Sequence, residues 1–227
     1  MNLTTRIQKL KGLSVNLLTF YLGTVRKYAV LDRMIFSQAV CEKFGSGKAS
    51  QGYAILRETL YYGIVQDIAN MYFDNGSKAP SILNIRNMLL DEIIVSSLRE
   101  KYISEFVPNA DFSEFYDARR RAKLLQFGAH YAELIRLITS TEGDPELKSC
   151  KNIRDKFTAH IELQFTGEEY SYPDISKYSL KWNSPKRLLN DFRPIVERIG
   201  YIVRDASFSW DSFGKQNERV SNGLWET

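Results

Sequence analysis

Histidine and cysteine are both scarce in this chain, with two of each among 227 residues. Cys41 and Cys150 lie far apart and in no Cys-x-x-Cys arrangement. That excludes a disulfide framework and reads as reduced, buried thiols. With so few imidazoles and thiolates, and no paired spacing among them, a zinc or iron site lacks a ligand set, so no cofactor and no metal is expected. An all-carboxylate magnesium site stays open, but the acidic pairs Asp91–Glu92 and Glu168–Glu169 are adjacent and diverge on a helix, as solvated faces do. No run of about 18 apolar residues occurs, and the opening MNLTTRIQKLKGL has no apolar signal core. A cytoplasmic protein with no membrane partner is expected. The stretch FGSGKAS resembles a phosphate loop only in passing. The pattern needs glycine where Glu42 stands, and a hydroxyl where Ala49 follows Lys48. It reads as a turn between helices. A GxSxG elbow, internal repeats and low-complexity blocks are all missing.

What is present is ordinary globular composition, 44% hydrophobic and 26% charged, with a formal net charge of +4. That mild excess suits RNA or acidic partners and equally suits plain solubility. Helical spacing dominates, so the fold class is all-α, a helical bundle. Apolar residues from Leu17 to Ile35 predict a long helix over 14–44, ended by GSGKAS. A second helix is predicted from Gln51 to Phe73, with Tyr53, Leu56, Leu60, Ile64 and Ile68 facing the core. A third is capped by Ser81 and runs through Ile82, Ile85, Leu89, Ile93 and Leu98 to Phe106. A fourth runs from Asp111 or Ser113 to TEGDP, and a fifth starts at Pro145. The segment LQFTGEEYSYPDISKYSLKW predicts a short hairpin or ordered loop. A last helix follows, with Ser184 as N-cap and Pro185 in its first turn, running to Ala206. One domain over 1–207 with a polar tail over 208–227 is the expected organisation.

Two clusters stand out. ARRRAK places Arg119, Arg120, Arg121 and Lys123 on the fourth helix. At about 100° per residue they spread around it, as a solvated face does; the sharper reading is a phosphate-contact patch. His130 lies among Phe127, Tyr131 and Leu134 and reads as a core or interface histidine. IRDKFTAHIEL holds the other histidine. With Ile153 at zero on a wheel of about 100° per residue, Phe157 falls near 40° and His160 near 340°, on the apolar face. Arg154 falls near 100°, about 120° from His160, so a straight α-helix does not press the two together. On residues alone, His160 is a buried, hydrogen-bonded histidine.

RDKFTAH nevertheless resembles the Arg-x(4–6)-His motif of the HEPN superfamily, with Arg154 and His160 in the defining places and Asp155 as the polar residue after the arginine. YAILRETLYYGIVQDIANMYFD and DISKYSLKW, on either side of the motif, are similar to abortive-infection U-type HEPN proteins. The resemblance spans roughly Gln51 to Ala206. It implies an all-helical domain that forms a homodimer with both motifs facing one cleft. It also implies a metal-independent endoribonuclease, in a toxin–antitoxin or phage-defence setting, that cleaves RNA by attack of a 2′-OH. His160 would be general acid/base, Arg154 the phosphate-stabilising cation, and Asp155 would orient them. Thr158, Lys156 and the basic run Arg119, Arg120, Arg121 and Lys123 would contact RNA, with tRNA or mRNA as target. A cognate antitoxin would be a further partner. Two departures stand: five residues rather than the commoner four separate Arg154 from His160, and Glu162 occupies the place of a tyrosine used for adenylylation. A non-catalytic module binding RNA, a nucleotide or a protein is the alternative.

Overall fold

The computed structural model describes residues 2–104, 113–158, 164–165, 170–171, 178 and 180–225. Helices α1 (Leu3–Phe36), α2 (Gln38–Phe44), α3 (Ser50–Phe73), α4 (Ile82–Leu89), α5 (Glu92–Ser104), α6 (Ser113–Glu142) and α7 (Pro145–Ile153) are followed by a π-helical turn, Arg154–Thr158. Strands β1 (Gln164–Phe165) and β2 (Tyr170–Ser171) then pair antiparallel as a hairpin, before α8 (Ser184–Arg204) and α9 (Trp210–Trp225). The fold is all-α, as expected, with that small hairpin. Among the described residues no helix is long and apolar enough to cross a membrane. The chain forms two compact units: residues 1–19, 73–141 and 192–208, and residues 20–72, 142–191 and 209–227.

In the first unit, Leu10, Leu13 and Leu17 of α1 are buried, as are Ile82, Ile85 and Leu89 of α4 and Phe192, Ile195 and Ile199 of α8. This apolar stripe in α1 extends upstream of residue 14, and Asn2 caps it, its side chain accepting from the Thr5 amide at 2.9 Å. The first helix therefore starts at Leu3 rather than at Ser14, and it ends at Phe36 rather than Phe44. Ser81 caps α4 as predicted, accepting from the Asn84 amide. The helix drawn from there to Phe106 is two helices. Asp91 accepts from the amides of Ile93 and Ile94 and starts α5 anew. That restart shifts the register: Ile94 is buried, while Ile93 is 62% exposed. His130 stacks on Tyr201 with ring centroids 5.0 Å apart.

In the second unit, α3 buries Tyr53, Tyr61, Ile64, Val65, Ile68 and Tyr72. Leu56, expected inside, is 54% exposed. Two aromatic hydroxyls reach backbone carbonyls, Tyr53 to Met34 at 2.6 Å and Tyr21 to Leu189 at 3.0 Å. FGSGKAS is a 3₁₀ turn, Gly47–Ala49, between α2 and α3. Cys150 is buried, but Cys41 is only half-buried, which corrects the reading of both as buried. Within the stretch expected as a polar tail, Trp210–Trp225 is helical with Phe213, Asn217 and Ser221 on its buried face. Trp210 meets the Tyr21 ring edge-on, and Trp225 meets Phe44. Small polar residues on the inner face hide this helix from apolar periodicity.

Candidate functional site

Helix α7 is short and held at its start. Pro145 stands in its first turn, and the Asp144 side chain accepts from the Leu147 amide at 3.0 Å. Arg187 then clamps that end, donating to Asp144 at 2.9 Å and to Glu146 at 2.8 Å, with Asp191 as a third carboxylate. Ser184 donates to Glu146 from the same side and accepts from the Lys181 amide, so it bonds outward rather than capping α8. Burial raises the Asp144 carboxyl, but the Arg187 guanidinium and the Leu147 amide outweigh it and hold the group below the ordinary value. Leu147, Cys150 and Ile153 form the buried stripe, three residues apart. Burial first, then the charges of Glu146 and Asp144, push the Cys150 thiol up to about 12. This cysteine packs and does not act as a nucleophile.

At Ile153 the α-helical ladder gives way to the π turn that carries Arg154, Asp155, Lys156 and Thr158. π turns are rare and concentrate at functional sites. The Arg154 side chain is only 16% exposed and makes an ion pair with Asp155 at 2.6 Å. Its Nε donates to the same carboxylate at 2.8 Å, and its Nη1 donates to the Asn70 side chain at 3.3 Å and the Ala69 carbonyl at 3.5 Å, both on α3. The guanidinium is thus fixed in the plane set by its fork, a geometry suited to phosphate oxygens. Lys156 is half-buried beside it in sequence. His160 lies outside the described residues, as does Glu162. Thr158 ends the turn.

The basic run is on α6, in the first unit. Arg119, Arg120 and Arg121 are exposed. Lys123 is not part of that open face: its ammonium pairs with Asp205 at 3.6 Å and lies 4.5 Å over the Tyr102 ring. Asn70, which sequence reading missed, is a second holder of Arg154. Also missed is an aromatic step in the same unit as Arg154. The Arg57 guanidinium lies 5.0 Å over the Trp182 ring, Trp182 meets Tyr61 at 4.8 Å, and the Tyr61 hydroxyl donates to the Lys181 carbonyl. Among the described residues no group of three His, Cys, Asp or Glu side chains is placed to hold a metal.

A family model described as AbiU2, of HEPN type, matches residues 7–224. No curated protein and no solved structure matches the chain.

Proposed function

The chain belongs to the AbiU2 family of HEPN proteins, and from that premise we propose that it is a metal-independent endoribonuclease of abortive infection, acting on RNA as a homodimer. The 2′-oxygen attacks the adjacent phosphorus as its proton passes to a general base. The bond from phosphorus to the 5′-oxygen breaks, and that oxygen takes a proton. The products are a 2′,3′-cyclic phosphate and a 5′-hydroxyl. His160 moves the proton, since an imidazole is the side chain that titrates near neutrality. Arg154 carries the charge that builds on the phosphorane oxygens, and its fixed fork needs no reorganisation at that moment. Asp155 and Asn70 position Arg154. Lys156 and Thr158 extend the phosphate contact, and Arg119, Arg120 and Arg121 supply steering charge.

The observation that carries this reading is the built setting of Arg154: 84% removed from solvent, held by Asp155 and by α3, on a π turn. The test is cleavage of tRNA and total RNA by purified protein in EDTA, with analysis of fragment ends. Cyclic phosphate ends that vanish in His160→Ala, and fall about 100-fold or more in Arg154→Lys, are expected. Intact RNA with every substrate would sink the proposal. A second reading, an RNA-binding module without hydrolysis, is favoured by one contact: Asp155 already occupies two Arg154 nitrogens, so a phosphate must share or displace it. Intact RNA with retained binding, lost in Arg154→Lys, selects that reading.

A further inference from the structure

The aromatic step around Trp182 is used by neither reading of Arg154, and its backbone is built to hold a ring in place. Residues Lys181–Ser184 form a tight turn. The Ser184 amide donates to the Lys181 carbonyl at 2.9 Å, and the Lys181 amide donates to the Ser184 hydroxyl at 2.9 Å. The Tyr61 hydroxyl donates to the same Lys181 carbonyl at 3.1 Å, and the Ser184 hydroxyl donates to Glu146 of α7. Trp182 stands inside this closed turn, with Lys181 and Asn183 exposed on either side of it. Its ring meets the Tyr61 ring edge-on at 4.8 Å and the Arg57 guanidinium at 5.0 Å. Even with those contacts Trp182 is 38% exposed. The ring is fixed before anything binds, so little side-chain entropy is left to lose.

Arg57 makes this platform cationic. Its Nε is buried without a hydrogen-bond partner, and its charge lies against the indole. A nucleotide answers both features: its base stacks on the aromatic ring, and its phosphate is attracted by the guanidinium. An apolar side chain of a protein would answer only the first. The platform is also tied to the helix that holds Arg154. Arg57 and Tyr61 stand on α3, and Arg154 reaches Ala69 and Asn70 of the same helix. Tyr61 to Ala69 is about 12 Å at the α-helical rise. Helix α7 spans the same interval, with Glu146 bonded to Ser184 at its start and the turn that carries Arg154 after its end. That interval is about three to four nucleotides of a stacked strand, and fewer of an extended one. A duplex keeps its bases paired and stacked and offers none to the ring.

We propose that Trp182, with Arg57 and Tyr61, is a stacking subsite for one unpaired nucleobase of the RNA whose phosphate Arg154 holds, which makes single-stranded RNA the substrate class. The inference rests on the RNA reading of Arg154 but not on cleavage. Anisotropy titration of the full-length protein against a short labelled 2′-O-methyl oligoribonucleotide, whose blocked 2′-oxygen cannot attack, tests it. Single strand is expected to bind more tightly than a duplex of the same sequence. Trp182→Ala is expected to weaken it about tenfold, and Trp182→Phe to restore most of the loss. A single abasic position scanned along the oligonucleotide should find a place that costs wild type about tenfold and costs Trp182→Ala nothing further. A merely structural role for Trp182 would lower affinity and leave that abasic sensitivity intact. Unchanged affinity in Trp182→Ala, the same abasic profile in both proteins, or a duplex bound as tightly as single strand overturns the proposal, and the first of these leaves the ring to a protein partner. Binding that survives Trp182→Ala and is lost in Arg154→Lys removes the subsite alone. Binding that needs Trp182, with every unmodified RNA left intact, keeps the subsite and removes cleavage.

Discussion

Asp144 joins two tasks that can be separated by substitution. It caps α7 through the Leu147 amide and it meets the Arg187 guanidinium. Asp144→Ala removes both. The lost cap costs about 1 kcal/mol. The ion pair adds about 0.5 kcal/mol, because the Arg187 side chain is 43% exposed and keeps Glu146 and Asp191. Asp144→Asn keeps an acceptor for the amide and loses only the charge. With a urea dependence of about 2 kcal/mol per molar, the midpoint falls by about 0.7 M for alanine and about 0.25 M for asparagine. The pH dependence has a definite sign. The folded carboxyl lies below its ordinary value, so its contribution is present above about pH 4 and is lost as pH falls through the folded pKa. The gap between wild type and Asp144→Ala should therefore be widest near neutrality and close in acid. Equal midpoints for the alanine and asparagine variants would refute the cap as what holds α7.

Two further outcomes follow from the same unit. Asp191 sits beside Asp144 and Glu146, and burial, with those two carboxylates, raises its pKa despite Arg187. A raised acid contributes below its unfolded pKa and loses that contribution as pH rises, so Asp191→Asn should unfold in urea at pH 7 no earlier than wild type. The two thiols should separate kinetically: Ellman's reagent in native buffer should modify Cys41 and spare Cys150, with both reacting once the chain is unfolded. Fast native labelling of both would contradict the burial of α7.

Helices α3 and α6 were legible because each is a long run without proline closed by clear punctuation, and α7 because Pro145 marks its start. The beginning of α1 was hidden by its many charged residues, and α9 by an inner face of Asn217 and Ser221. The break at Asp91 is a cap inside a continuous apolar pattern, which a wheel reads straight through. At the candidate site, Arg154 and its partner Asp155 were singled out by motif and are joined in space. The hold from α3 was not, because a contact spanning 84 positions leaves no local signal. The angular argument from Arg154 onward assumed about 100° per residue, and Arg154–Thr158 does not follow that step.

The π turn also bears on how such a motif drifts. A π turn spends one residue more than an α turn to climb the same helix. A chain that gains a residue there can absorb it as a local bulge, leaving the buried stripe of α7 where it was. Spacing between the two named residues of the motif is then a poor measure of descent: four and five intervening residues differ by a single codon, and Arg154–Thr158 is a place where the ladder is already open.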